Sequence, residues 1–531
     1  MKRVPALATA TVAVAAFALS GCAGGQTTTG AASGEAVTDG TVKMALAADP
    51  GKLNPLQNAT NDSETVAAFG YESLLTYPTG KEAEGLLAEK WEGTTTSVTF
   101  TLKQGITCGD GSPLTASDVK GTFELANAKE TGSPYKGVYF PAEGLSIKAD
   151  DAARTITFTS KEAQSFLAET IGALPIVCKA GLDKPASLAT EQHGTGPYQL
   201  TASTVGQSYT FTRRDGYTWG PGGTTSDTAG LPKTVELSVV ESESTAANLL
   251  QSGELQIAEV GGTDRDRLTA TTFKTQLEIP MRPGMIFFNQ AEGRAGNSLE
   301  VRKAIAQGLD RDALGKVSSS GRGELLTTLV SSYGAACTTM DSSASIPASN
   351  LDAAKASLDA AGWAVGADGY RAKDGKQLKL VLLYPAKEGA AVTSAIELMQ
   401  SQLKEIGING VPTPSAAYTD VIFQGGDWDI VWAPIFTSLP SDWQGILSGE
   451  FPPNGGNWTY NTNQEFFDLA AAAQKQAGAE SCGAWQKAQD SLFSDLEVLP
   501  IASTTSTLYG TNVQFGVSKT IISPASLRVT K

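Results

Sequence analysis

Val98-Thr99-Phe100-Thr101-Leu102-Lys103-Gln104-Gly105, followed closely by Asp110-Gly111-Ser112-Pro113-Leu114-Thr115-Ala116-Ser117-Asp118-Val119, decides the fold class. Val98 to Leu102 alternates apolar and polar side chains with period two, the pattern of a half-buried strand. Thr115 then stands where an N-cap would, with Asp118 three residues on, approximating a capping box. Val119, Phe123 and Leu125 follow in the apolar pattern of a helix. Strand, turn and capped helix in close succession predict a mixed α/β body.

The same alternation continues outward. Val235 to Val240 reads as a strand, and Thr245 to Gln251 as a short helix stopped by Gly253. Val301 to Leu314 is predicted to be one helix, with Val301, Ile305, Leu309 and Leu314 close to one face. Leu378 to Tyr384 is mostly apolar and predicts an internal strand. Val392, Ile396, Met399, Leu403 and Ile406 form the stripe of an amphipathic helix that ends at Gly407.

Composition narrows the function classes. The 531 residues suggest about three domains at roughly 150 residues each. With 41% hydrophobic and 18% charged residues the chain can bury a large core, which excludes global disorder. Its net charge of -15 argues against nucleic acid as a partner. A single histidine, His193, before a Gly-Thr-Gly-Pro turn, excludes multi-histidine metal sites and disfavours histidine catalysis.

Residues 1–21 read as a secretory leader, with Lys2 and Arg3 ahead of the apolar stretch Ala6 to Leu19. Leu19-Ser20-Gly21-Cys22 resembles the lipobox of bacterial lipoproteins, which implies lipidation of Cys22. Residues 22–40, rich in Ala, Gly, Thr and Ser, form a flexible tether. Cys108, Cys178, Cys337 and Cys482 remain, an even number suited to two disulfides in an exported chain, with three possible pairings.

Catalytic patterns are missing: there is no G-x-S-x-G, H-E-x-x-H or P-loop sequence. Ser117 to Lys120 and Ser401 to Lys404 each match S-x-x-K, a frequent chance match, without the companion elements of a serine hydrolase. Asp427 and Asp429 flank Trp428 and are weighed as a divalent-ion pair against a solvated face, the commoner reading. No enzyme activity, cofactor or metal is expected.

Aromatic residues are concentrated instead. Trp428, Trp432, Trp443 and Trp458 fall close together with Phe423, Phe436, Phe451 and Tyr460, interrupted by Pro434, Pro440, Pro452, Pro453, Gly455 and Gly456. A strand, Ile430 to Trp432, followed by an aromatic loop suggests a concave recognition surface, with a core plug as the alternative. Trp432, Phe436 and Trp458 are expected to line a pocket, with Asn457 supplying hydrogen bonds.

Six separated stretches, in order, resemble the extracellular solute-binding proteins of ABC importers, the family (family 5) with peptide- and nickel-binding members. They include Leu53-Asn54-Pro55, Leu86 to Trp91, the Asp110 to Val119 signature and Gly194-Thr195-Gly196-Pro197-Tyr198. Gly253 to Ala258, and Phe288-Asn289 with Val301 to Arg311, complete the set.

The resemblance implies a large, class II, periplasmic-binding-protein-like clamp of two lobes with an extra inserted subdomain. Lobe one would comprise 41–85, 195–283 and 498–531, the inserted subdomain 86–194, and lobe two 284–497. The pairing Cys108–Cys178 and Cys337–Cys482 is favoured because each bridge then stays within one such unit.

An organic solute, peptide or peptide-like, would be enclosed between the lobes and delivered to an ABC permease and its ATPase. The protein would be lipid-anchored to the cell membrane, facing the extracellular or periplasmic side. Asp62 and Ser63 are carried over as the opposing wall. Where peptide-binding relatives place an aspartate in W-x-x-D, this chain has Trp432-Ala433-Pro434-Ile435. The alternative function is a non-transport envelope lipoprotein using the fold as a scaffold or regulator.

Overall fold

A computed structural model of the chain describes residues 34–531, apart from 58–59, 80, 142, 270–271, 274, 332–333, 335, 387–388 and 436. The expected leader, Cys22, the tether up to residue 33, and Phe436 lie outside the described residues.

Ten strands form one continuous sheet. They are β1 Thr41–Leu46, β2 Tyr198–Thr204, β3 Ser208–Arg213, β4 Thr234–Val239 and β5 Ile257–Val260. The remaining five are β6 Thr275–Phe288, β7 Lys379–Pro385, β8 Asn409–Ser415, β9 Ile430–Ala433 and β10 Val498–Gly510. Their spatial order is β8-β7-β9-β6-β10-β5-β1-β4-β3-β2, with the short strand Glu324–Leu325 joining β10 off this path. The expected internal strand is β7, which pairs in parallel with both β8 and β9.

β6 and β10 run through both halves of the sheet. Thr275 to Met281 pairs with Gly510 to Thr504 beside β5. After register shifts around Gly284, Met285 to Phe287 pairs with Pro500 to Val498 beside β9. The chain therefore crosses between halves along two irregular antiparallel strands, where bulges concentrate bending. Gly284 is required there: its φ is +156°, and a Cβ would meet the Trp432 indole nitrogen at 1.7 Å.

A separate antiparallel sheet, Ala88–Gly93, Ser97–Leu102, Thr155–Ser160 and Leu145–Asp150, carries the opening motif. Helix α2, Ala116–Asn127, packs on it, and Thr115 and Asp118 close the expected capping box in both directions. Glu72 lies where this unit meets the first half, its carbonyl accepting from the Ile176 amide at 2.9 Å. Its buried carboxylate accepts from Tyr217 Oη at 2.6 Å, Trp219 Nε1 at 2.8 Å and Thr195 Oγ1 at 2.9 Å.

Both favoured disulfides are present. Cys108–Cys178 has its Cα atoms 6.2 Å apart, and Cys337–Cys482 has them 5.3 Å apart. The single helix expected over 301–314 is instead two, Leu299–Gly308 and Arg311–Ser318. Asp310 breaks the run, because its side chain accepts from the Ala313 amide and caps the second helix.

The small-sheet unit also touches the second half directly. Phe166 is buried in the same core as Trp443 and Trp485. Beside it, Ser165 Oγ donates to the Ala473 carbonyl at 2.8 Å and accepts from Trp485 Nε1 at 3.1 Å.

Candidate binding cavity

A cavity, partly open to solvent, lies against helix α1, Asn61–Gly70. Thr60 starts this helix, and Ser63 returns the capping bond. The register then turns Ser63, Glu64, Ala67 and Ala68 to the cavity. Tyr135 and Tyr139 line another wall from the segment after α2, and Tyr77 and Lys519 close a third. Lys519 sits on the tight turn between the short strands Val517–Ser518 and Ile521–Ile522. The turn is pinned by Lys519 N donating to the Tyr77 carbonyl at 2.9 Å, and Tyr77 N donating to Ser518 Oγ at 3.0 Å.

The aromatic groups surround a charge. Lys519 Nζ lies 4.9 Å from the Tyr77 ring centroid and 4.7 Å from that of Tyr139. It also donates to Tyr139 Oη at 3.2 Å. Tyr135 stacks on Tyr139 at 4.7 Å, with the planes 7° apart. Burial lowers the Lys519 ammonium's pKa, opposed by Glu64 and Asp442. Burial raises the Glu64 carboxyl, opposed by Lys519. Burial also pushes the Asp442 carboxyl up to about 6, against hydrogen bonds from the Leu439 and Ser438 amides and the charge of Lys519. A polar cluster inside a mostly apolar, aromatic-walled space is the general form of an organic-ligand site.

The residues expected from sequence fall in different places. Ser63 is on the cavity wall, but its hydroxyl donates to the Thr60 carbonyl at 2.9 Å. Asp62 is absent from the wall; it accepts from the Ala47 and Ala48 amides at 2.9 and 3.1 Å, tying α1 to the end of β1. Trp432 is fully buried beneath Gly284 in the core of the second half. Trp458 is also buried, 4.8 Å from Phe287 and 5.9 Å from Trp428 between ring centroids. Asn457 is buried too, its amide donating to the Asn461 carbonyl at 2.8 Å and accepting from the Asn461 amide at 3.0 Å.

The tryptophans and Asn457 thus belong to the core rather than to the cavity wall. The reason is packing: Trp428, Trp443 and Trp458 share a core with Phe287 and helices Gln464–Ala473 and Cys482–Ser494, while Trp432, on β9, is buried in a second core with Ile286 and Leu382. Asp427 and Asp429 are both engaged by Arg294, at 2.6 and 3.4 Å. His193 Nε2 meets Ser187 Oγ at 2.9 Å, a local structural bond.

Sequence reading missed Tyr77, Tyr135, Tyr139, Lys519 and Glu64 on the cavity wall. Ser133-Pro134-Tyr135 with Tyr139-Phe140 was a visible aromatic group in a loop. Nothing in the local pattern singles out Lys519, which meets Tyr139 across 380 positions of sequence.

Comparison with known proteins gives a consistent result. The family model described as bacterial extracellular solute-binding proteins, family 5 Middle, matches residues 82–477. Protein XP55 of Streptomyces lividans is 27% identical over 414 residues, covering 73% of this chain and 67% of its own length. A Brucella ovis protein named as an ABC transporter peptide-binding protein is 25% identical over 456 residues, 80% of each chain. A solved substrate binding protein from Microbacterium hydrocarbonoxydans, complexed with 4-hydroxybenzoate hydrazide, has a TM-score of 0.72 at 25% identity. That match covers 93% of this chain and 100% of the other.

Proposed function

The chain belongs to the bacterial extracellular solute-binding proteins of family 5, and from that premise we propose that it captures a peptide or peptide-like solute in the cavity against α1. It then presents the loaded form to an ABC permease. The observation that carries this reading is the cavity itself, apolar and aromatic at its walls with a few converging charges. The two strands that cross between halves, β6 and β10, supply the bend about which such a clamp would close.

Binding and release suffice for this role, and no chemical step is assigned to the site. A solute of the proposed kind fills apolar space between Ala67, Tyr71 and Ile522 and orients its polar groups toward Glu64 and Lys519.

The test is to denature the purified protein and identify what it releases by untargeted mass spectrometry. Wild type is expected to release close to one equivalent of a small organic compound, and Tyr139→Leu much less. Equal release from both proteins contradicts the assignment of the cavity.

Anchoring through Cys22 completes the proposal. Among the described residues no helix is long and apolar enough to cross a membrane. Acyl chains on Cys22 would hold the protein at the surface, at about 0.8 kcal/mol per buried CH₂. Cys22→Ser is expected to move the protein to the soluble fraction; an unchanged membrane fraction refutes the anchor.

A further inference from the structure

We propose that Ser165 and Phe166 form a clasp between the small-sheet unit and the second half, and that its opening gates both entry and release of the solute. This gate rests on the solute-binding reading of the cavity and adds the contact that sets how fast the clamp works.

Ser165 and Phe166 sit between the strand Thr155–Ser160 and the short helix Leu167–Gly172. The stalk before them is fastened to its own sheet. Lys161 N donates to the Gly144 carbonyl at 3.0 Å, and Gln164 N to the Thr95 carbonyl at 2.7 Å. At Ser165 the bonding changes sides. Its amide donates to Gln474 Oε1 at 2.7 Å, and its carbonyl accepts from the Gly478 amide at 2.7 Å. Its hydroxyl is taken up by the Ala473 carbonyl and the Trp485 indole. Every polar group of this buried residue is therefore satisfied by the second half.

Phe166 and Leu167 are sequence neighbours buried in different cores. Leu167 packs with Phe100, Phe158 and Ile171 inside the small-sheet unit. Phe166 packs in the tryptophan core of the second half, where it is, among the described residues, the only one that precedes residue 285. One ring thus crosses from one body into the core of another. The two bodies part only when that ring is withdrawn, which exposes both it and its socket to water. The receiving side is firm: Ser481 Oγ donates to the Gly478 carbonyl at 2.7 Å, and Cys482, at the start of the Trp485 helix, is bridged to Cys337.

Ser165, Phe166, Gln474, Gly478 and Trp485 do not line the cavity. The clasp therefore strengthens the joined form with or without a solute inside. It slows loading and unloading together and leaves affinity nearly unchanged, because only contacts that differ with occupancy shift an equilibrium. The clasp is still close to the cavity. The helix Leu167–Gly172 leads directly to Ala173 and Pro175 on the wall, and Tyr77, also on the wall, donates through its hydroxyl to the Glu169 carbonyl.

The experiment compares mature wild type with Phe166→Ala, Gln474→Ala and Leu167→Ala, each checked for folding by its melting profile and loaded with the compound that wild type releases on denaturation. Hydrogen exchange at the Gly478 amide reads the clasp, and loss of the loaded compound on dilution, followed by mass, reads the gate. Phe166→Ala is expected to speed both by about tenfold or more. Gln474→Ala loses the bond to the Ser165 amide but keeps the ring, and should speed both by about threefold. It carries the test if Phe166→Ala does not fold. Leu167→Ala should lower the melting temperature through the small-sheet core and leave both rates as in wild type.

Faster exchange at Gly478 with unchanged loss of the compound makes the clasp a static contact, which overturns the gate and leaves the solute-binding role standing. Acceleration by Leu167→Ala equal to that by Phe166→Ala overturns the gate as well. A wild type that releases no compound on denaturation overturns the solute reading itself.

Discussion

Two aromatic regions of this molecule differ in what surrounds their rings. Trp428, Trp443 and Trp458 gather around Phe287 in a dry core, their neighbours other apolar side chains. Tyr77, Tyr135 and Tyr139 gather around the ammonium of Lys519 at the edge of open space. The first region has the larger rings and the more conspicuous sequence. The second has the cavity and the charge. Ring density in a loop therefore reports a demand for burial as readily as a recognition surface, and the presence of a cation with unfilled volume distinguishes the two.

The largest expected effects are on the stability of the frame that holds both regions. Cys108–Cys178 and Cys337–Cys482 close segments of 70 and 145 residues. Replacing either pair by serine is expected to cost about 4–5 kcal/mol in the chain-entropy description. Cys337 packs in the tryptophan core, so loss of its bridge should loosen that region first. Denaturant melts of the two double variants check this, and a change under about 1 kcal/mol in both would show that the frame does not depend on the bridges.

Next comes a direct contrast between the regions. Trp443→Ala empties a buried site and is expected to cost about 3–5 kcal/mol of stability, with unchanged solute affinity in the fraction that stays folded. Tyr139→Leu should do the reverse: a modest change in melting and at least a tenfold loss of affinity, about 1.4 kcal/mol. If Trp443→Ala instead lowers affinity at constant stability, the distinction drawn between the two regions collapses.

The smallest effect is a pH dependence that arises in the second half. Burial raises the Asp442 carboxyl from 3.8 to about 6, and the Glu497 carboxyl, beside Arg302, from 4.5 to about 7. In each case the folded protein keeps a proton that the unfolded chain has already released. Their contribution to stability is therefore complete below about pH 4 and lost as pH rises through 6 and 7. The melting temperature should fall between pH 5 and pH 8, by the equivalent of about 1–3 kcal/mol. Asp442→Asn should remove the lower part of the decline and leave the part belonging to Glu497. A melting temperature that rises over this range contradicts the assigned directions.

Much of the frame was legible because it depends on local pattern. The strand at Val98, the cap at Thr115, the helix stop at Gly253 and the stripe ending at Gly407 all rest on neighbours a few residues apart. The break at Asp310 was also local, but the apolar periodicity running through it masked the cap. The cavity was not legible, because its chemistry is assembled from distant parts. Lys519 meets Tyr77 and Tyr139 only after the C-terminal turn packs against the small-sheet unit. The fate of Trp432 depended on Gly284, whose missing side chain makes room for the indole where two strands cross. Neither residue's pattern reveals the other.

Hydrogen exchange measured on the solute-loaded and the stripped protein tests the central claim most directly, that the solute sits against α1 and the tyrosine-caged lysine rather than against the tryptophan loop. Loading is predicted to slow exchange in residues 61–71, 135–139 and 517–525, with little change in residues 428–433 and 457–461, which are already buried. Protection confined to residues 428–461, with α1 and the Lys519 turn exchanging as before, would contradict it.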